Sequence, residues 1–382
     1  MAKDRIYLDY AAATPVDPAV LAVMQPYFSE HFYNPSATYQ AARESRDALE
    51  VARADIAHWL GARPSEIIFT AGGTEANNLA IHGLLRQYPD SHGVVSALEH
   101  ESVLEPASQY DHSVVSIEPD GRLNIDALRA AIKDTTVLIS VMYANNEIGV
   151  VQPIREAAQL VEAIRAERRA AGNVLPLYLH TDACQAANYL DLHVARLGVD
   201  LMTINGGKIY GPKQSGALYV KAGLDITPLI TGGGQERGLR SGTENVPAAV
   251  GLAAALQQAQ TVRHDEAQRV AELQHSFIKQ LEQAFPQAVI NGSRKYRLPN
   301  NIHVTFPGAD NERMIFALDE QGIMAAAGSA CSASNEEPSH VLRALGLSDE
   351  AAQASLRLTF GRETTADQLE TVIKVLKSVV GQ

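Results

Sequence analysis

Between residues 66 and 220 the chain repeatedly follows a short apolar run with a helical pattern, and this alternation restricts the fold more than any other feature. Strands are expected at 66–70, 93–98, 136–144, 175–181, 200–204 and 216–220, and helices at 74–87, 125–132 and 153–170. Several of these strands are almost wholly apolar, as strands are when helices cover both faces of their sheet. The expected class is α/β with a mostly parallel sheet. Ligands then belong in the loops at the carboxyl ends of its strands.

Flanking segments read differently. Residues 1–35 form an arm broken by Pro15, Pro18, Pro26 and Pro35, with one short helix around 19–28, and a long helix follows at 36–60, stopped by Gly61. An almost unbroken helical pattern at 247–285 suits a connector between domains, with room for a kink. Beyond it come a strand at 301–306, a helix at 311–321, a Gly/Ser/Ala loop from 325, a strand at 355–360 and a helix at 365–379. A chain of 382 residues exceeds what one core usually holds. The expected division is a large domain at 15–259 and a small α+β domain made of 1–14 and 260–382, with a cysteine loop at about 325–338.

A formal charge of −12 argues against binding nucleic acid or an anionic membrane surface. There is no run of about 18 apolar residues and no apolar stretch near the start, so a cytoplasmic chain is expected. The two cysteines, Cys184 and Cys331, sit in unlike settings and suggest no disulfide framework. No metal-binding pattern stands out.

Several stretches carry chemistry. In Asn205-Gly206-Gly207-Lys208, two glycines turn the chain and present a lysine held between two turns. A fixed, desolvated amine is what Schiff-base chemistry needs, though a surface lysine in a Gly-rich loop reads equally well. In Thr70-Ala71-Gly72-Gly73-Thr74, a strand ends in glycines where a helix begins, which makes either a phosphate cradle or a plain turn capped by Thr74. Asp182 follows a buried strand, where a carboxylate wants a cation such as a pyridinium or serves as a helix cap. His100 opens a loop at the same sheet edge and could stack on a ring or move a proton. Cys331 lies among small residues in Gly328-Ser329-Ala330-Cys331-Ser332-Ala333-Ser334, a setting that favours a nucleophile or carrier over a core thiol. Arg357 alternates with apolar neighbours and either grips a carboxylate in a cleft or makes an internal salt bridge. The Gly-rich loop 232–243, with Arg237 and Arg240, suits a subunit contact, an anion clamp, or both.

Taken in order, Tyr7-Leu8-Asp9-Tyr10, Asn34-Pro35-Ser36, Glu99-His100, the run Asn145 to Gln152, Lys208-Ile209-Tyr210-Gly211-Pro212-Lys213, Arg240-Ser241-Gly242-Thr243, Gly328-Ser329-Ala330-Cys331 and Pro338-Ser339-His340 resemble the cysteine desulfurases of the NifS/IscS family, in the subgroup with the longer cysteine loop. The likeness covers essentially the whole chain. It implies a fold type I, aminotransferase-like homodimer that uses pyridoxal 5'-phosphate, takes L-cysteine as substrate and passes sulfur to an iron–sulfur scaffold or a tRNA-thiolation enzyme. By resemblance, Lys208 holds the cofactor as a Schiff base and moves the α-proton. Asp182 pairs with the ring nitrogen, His100 stacks on the ring, and Gln185 bonds its phenolic oxygen. Gly73, Thr74 and Asn205 hold the phosphate, with Thr243 of the partner subunit. Arg357 with Asn146 binds the substrate carboxylate, Asn34 also binds the substrate, and Cys331 takes the sulfur as a persulfide.

The chain departs from the family pattern at one telling place. Relatives usually carry Ser-Gly-His-Lys at the Schiff-base lysine, so Asn205 and Gly207 replace two phosphate contacts and weaker phosphate binding is expected. The chain also ends at Gln382 without the extension by which some members dock a scaffold. The remaining readings are a selenocysteine lyase, a pyridoxal-phosphate aminotransferase, for which Cys331 has no use, and a non-catalytic scaffold subunit with a degenerate phosphate loop.

Overall fold

The computed structural model describes residues 5–328 and 339–380. The arm opens with β1 (Ile6–Tyr7), and two short helices follow, Pro18–Met24 and Pro26–Ser29. The sequence predicts one helix over 19–28; Pro26, with no N–H to continue a helix, starts a second one instead. The helix Gln40–Leu60 ends on Gly61, whose φ of 64° is the left-handed conformation that glycine adopts freely.

The main sheet is built from β2 (Ile67–Thr70), β3 (His92–Ser96), β4 (Asp111–Val115), β5 (Thr136–Ser140), β6 (Tyr178–Asp182), β7 (Leu201–Asn205) and β8 (Gly216–Val220). Their spatial order is β2-β8-β7-β6-β5-β3-β4. Pairing is parallel from β7 across to β4, whereas β8 is antiparallel to both β7 and β2. Reversing twice leaves β2 pointing the same way as the parallel set. The carboxyl ends of β2, β3, β6 and β7 therefore open on one edge.

Alternate residues of the strands face opposite helix layers, as the period of two in a strand requires. Ile67, Val94, Ile139 and Met202 pack with the helices Gln40–Leu60, Ile154–Ala170 and Val246–Ala284. Ile68, Val95, Leu138 and Leu218 pack with Gly73–Gln87 on the other side. The edge strand β4 is absent from the sequence reading because it is half-exposed and begins Asp111-His112-Ser113.

A second apolar core surrounds β9 (Val289–Ile290), β10 (Asn301–Thr305), β11 (Ile323–Met324) and β12 (Ser355–Thr359). β12, β10 and β9 form an antiparallel sheet, while β11 pairs in parallel with β1. Val246–Ala284 runs unbroken for 39 residues, its start capped by Asn245 with Pro247 in the first turn. Ala249, Leu252, Leu256 and Ala259 from this helix belong to the first core, and Val270, Phe277 and Leu281 belong to the second. The arm joins the second core through Ile6 and Leu8, then crosses to the main sheet, where the Thr14 N–H donates to the Gly207 carbonyl at 3.1 Å. Among the described residues, no helix is long and apolar enough to cross a membrane.

Candidate active site

Asp182 is the last residue of β6 and is buried. Its Oδ2 accepts from Asn77 Nδ2 at 2.7 Å and its Oδ1 from the Cys184 N–H at 2.9 Å. Asn77, one turn into Gly73–Gln87, also donates from Nδ2 to Ser102 Oγ at 2.9 Å. Ser102 holds His100 in turn: its N–H donates to His100 Nδ1 at 3.0 Å, and the two side chains meet at 2.8 Å. With Nδ1 accepting, a neutral His100 carries its proton on Nε2.

Below this edge, Glu99 is fully buried, accepts from the Met142 N–H at 2.5 Å and meets Ser140 Oγ at 3.3 Å. Burial pushes its carboxyl up to about 8, and burial takes His180 down to about 4. Both are uncharged at neutral pH. Asp182 is the acidic side chain at the cavity end of this part of the sheet.

At the end of β7 the chain turns through the short 3₁₀ segment Gly206–Lys208. Asn205 Oδ1 accepts from the Gly207 N–H at 3.0 Å, which leaves the Asn205 amide nitrogen as its free donor end. A Cβ placed on Gly73 would stand 3.3 Å from that nitrogen and 2.9 Å from Cys184 Sγ, so only glycine keeps the gap open. The helix Gly73–Gln87 has Gly72 as its N-cap, with a φ of 138° and no capping side chain. Its first-turn N–H groups therefore have no side-chain acceptor at the cap, as an anion site at a helix start requires.

Lys208 Nζ donates to the Ala11 carbonyl at 2.9 Å and the Ala12 carbonyl at 2.6 Å. Gln185 Nε2 donates to the same Ala11 carbonyl at 3.0 Å. Burial, with help from the Arg357 guanidinium, pulls the Lys208 ammonium below its ordinary range, against Asp9 and Asp182. Arg357, at the centre of β12, is only 1% exposed. Its Nη2 donates to Asp9 Oδ1 at 2.7 Å and its Nη1 to the Asn146 carbonyl at 3.2 Å, while Nε has no partner among the described residues.

One cavity of about 290 Å³ is lined by Gly73, Thr74, His100, Asn146, Asp182, Gln185, Asn205, Lys208 and Arg357. Two expected residues lie elsewhere. Asn34 is exposed and accepts from the Ser36 N–H at 2.9 Å, and Thr243 is exposed beside a separate cavity with Thr70 and Arg240. Cys331 lies outside the described residues. The sequence reading missed Asn77, Ser102 and Asp9 as site residues. Asn77 had a usable signal, since it follows Thr74 by three positions and so shares its helix face.

The donor set fits pyridoxal phosphate. A buried carboxylate suits a pyridinium, a desolvated amine suits a carbonyl, and the gap held open by Gly73 beside a free helix start suits a phosphate. The guanidinium of Arg357, which lines the cavity, suits the carboxylate of a substrate.

Comparison with known proteins agrees with this chemistry. The family model described as aminotransferase class-V matches residues 6–372. The cysteine desulfurase IscS of Dictyoglomus turgidum is 40% identical over 99% of this chain and 95% of its own length. A putative cysteine desulfurase IscS 1 of Bacillus subtilis is 38% identical over 99% of both chains. Among solved structures, a NifS-like protein superposes with a TM-score of 0.89 at 29% identity over 98% of both chains. SspA in complex with cysteine gives a TM-score of 0.80 at 35% identity, covering 93% of this chain and 98% of that one. The chain belongs to the class-V aminotransferase family, among its cysteine desulfurases of the IscS/NifS type.

Proposed function

We propose that the protein is a pyridoxal-phosphate-dependent cysteine desulfurase that converts L-cysteine to L-alanine and transfers the sulfur, as a persulfide on Cys331, to an acceptor protein. The observation that carries this reading is the meeting of Lys208, Asp182, His100 and Arg357 on one cavity. Bound there, pyridoxal phosphate supplies an electron sink for charge that develops at the substrate α-carbon. Lys208 Nζ takes and returns the proton at that carbon, and burial favours the neutral amine this needs. Asp182 holds a proton on the ring nitrogen, His100 and Gln185 orient the ring, and Arg357 with Asn146 grips the substrate carboxylate, with Asn34 assigned to the substrate by resemblance alone. The Cys331 sulfur, giving up its proton, bonds to the sulfur of L-cysteine as the substrate Cβ–S bond breaks; the bonding pair stays on Cβ and is protonated there, leaving a persulfide and L-alanine.

Exposed apolar side chains at Leu21, Phe28, Phe32 and Tyr39 support a homodimer in which Thr243 of the partner subunit reaches the phosphate. The acceptor in this reading is an iron–sulfur scaffold or a tRNA-thiolation enzyme in the cytoplasm. The test is to incubate the protein with L-cysteine, quantify alanine, and weigh the peptide that carries Cys331. Equal amounts of alanine and added sulfur are expected. A keto acid in place of alanine, or alanine with no sulfur on that peptide, contradicts the reading.

Asn205, Gly73 and Thr74 carry the phosphate in this account, with nothing but backbone at Gly207. A Cβ at position 207 would meet Asn205 Oδ1 at 3.4 Å and Lys213 Cδ at 3.6 Å, so a side chain fits there. Gly207→His is expected to tighten cofactor binding about tenfold, the scale of one charge-assisted hydrogen bond. Titration of cofactor-free protein measures it, and unchanged affinity would mean that the phosphate lies away from residue 207.

A further inference from the structure

The arm contributes a charge to the site that none of the assigned roles uses. Asp9 accepts from Arg357 Nη2 at 2.7 Å, and its side chain, 20% exposed, is not sealed beneath the guanidinium. Asp9 is held rigidly: it bridges Thr359 of β12, and the Tyr7 hydroxyl lies 2.9 Å from the carbonyls of both Asp9 and Ala13. Two and three residues further on, Ala11 and Ala12 hold Lys208 Nζ by their carbonyls. The same short turn therefore sets a carboxylate on the arginine and fixes the amine of the lysine.

We propose that Asp9 is a specificity-determining residue that aims Arg357 through its Nη2 and makes the site prefer an amino-acid zwitterion over a carboxylate without an α-ammonium group. This rests on the reading of Arg357 as the carboxylate-binding group. A buried guanidinium with no counter-ion is costly and would attract any small carboxylate. With Asp9 in place the pair is neutral, so a simple carboxylate meets an arginine whose charge is already matched. An amino acid brings its own cation beside Lys208 Nζ. There it feels the field of Asp9, which also favours the charged form of Lys208. Arg357 itself lines the cavity, so the incoming carboxylate meets a guanidinium already aimed by Asp9.

Calorimetry on the borohydride-reduced holoenzyme, whose cofactor can no longer exchange amines, tests this with L-alanine and propionate, which differ only in the ammonium group. Asp9→Asn keeps an oxygen for Arg357 Nη2 and removes the charge. The ratio of the two dissociation constants is expected to narrow about tenfold, or about 1.4 kcal/mol, by weaker alanine binding and stronger propionate binding. Asp9→Glu is expected to restore most of the discrimination. An equal loss for both ligands would make Asp9 merely structural, and an unchanged ratio would overturn the proposal outright. Arg357→Gln separates the two readings: if it weakens both ligands while Asp9→Asn leaves the ratio alone, only the role of Asp9 fails. If Arg357→Gln weakens neither, the carboxylate site lies elsewhere and both readings fail. Should Asp9→Asn not fold, as judged by cofactor content and melting, the ratio for Asp9→Ala decides: it narrows if the carboxylate faces the ammonium and stays put if it does not.

Discussion

Lys208→Ala is expected to lower the rate of alanine formation from L-cysteine by about 10³-fold or more, within the range that a positioned acid–base group supplies. The lysine is fixed at both ends. Its carbonyl accepts from Asn188 Nδ2 at 2.7 Å, and its Nζ is held by the Ala11 and Ala12 carbonyls. Such an amine cannot be replaced by solvent. Its lowered pKa also sets the direction of the pH dependence: the neutral amine begins to accumulate at lower pH than for an exposed lysine, so the alkaline rise in proton abstraction comes earlier. The variant should still fold, since Gln185 continues to serve the Ala11 carbonyl. Activity within tenfold of the parent protein would assign the proton transfer to another group.

Asp182→Ala is expected to weaken cofactor retention by about 10²–10³-fold, the cost of removing one partner from a buried ion pair. The substitution also strips acceptors from Asn77 Nδ2 and the Cys184 N–H. Asn77 keeps Ser102 Oγ, so the arrangement around His100 should survive in part. Asp182→Asn should fall between, because its oxygen can serve the Cys184 N–H but no longer balances a cation. Cofactor content after dialysis separates the two variants. Full retention by Asp182→Ala would mean that Asp182 does not face the ring.

Much of this arrangement was legible in the sequence because it depends on strand ends. Asp182, His100, Lys208 and Thr74 all follow apolar runs, and a parallel sheet brings such positions to one edge whatever lies between them. Asp9 was not legible as a site residue. Its partner Arg357 is 348 residues away, and only the bridging of the arm to β12 joins them. Ser102 was hidden for a similar reason, since its role depends on the distance from β3 to the face of Gly73–Gln87 that carries Asn77. The edge strand β4 is not legible because edge strands need no apolar alternation, and the break at Pro26 is masked by the apolar residues around it. Neutral Glu99 likewise depends on burial, which its sequence neighbours do not reveal.

The most direct test of the central claim, that the Lys208 cavity binds pyridoxal phosphate and acts there on L-cysteine, is the visible absorption spectrum of the purified protein before and after L-cysteine is added, with alanine and sulfide measured in the same tube. The account predicts the yellow absorption of a lysine-linked cofactor, absent in Lys208→Ala, that changes on adding cysteine as alanine appears. A protein that stays colourless with added pyridoxal phosphate and forms no alanine would contradict it.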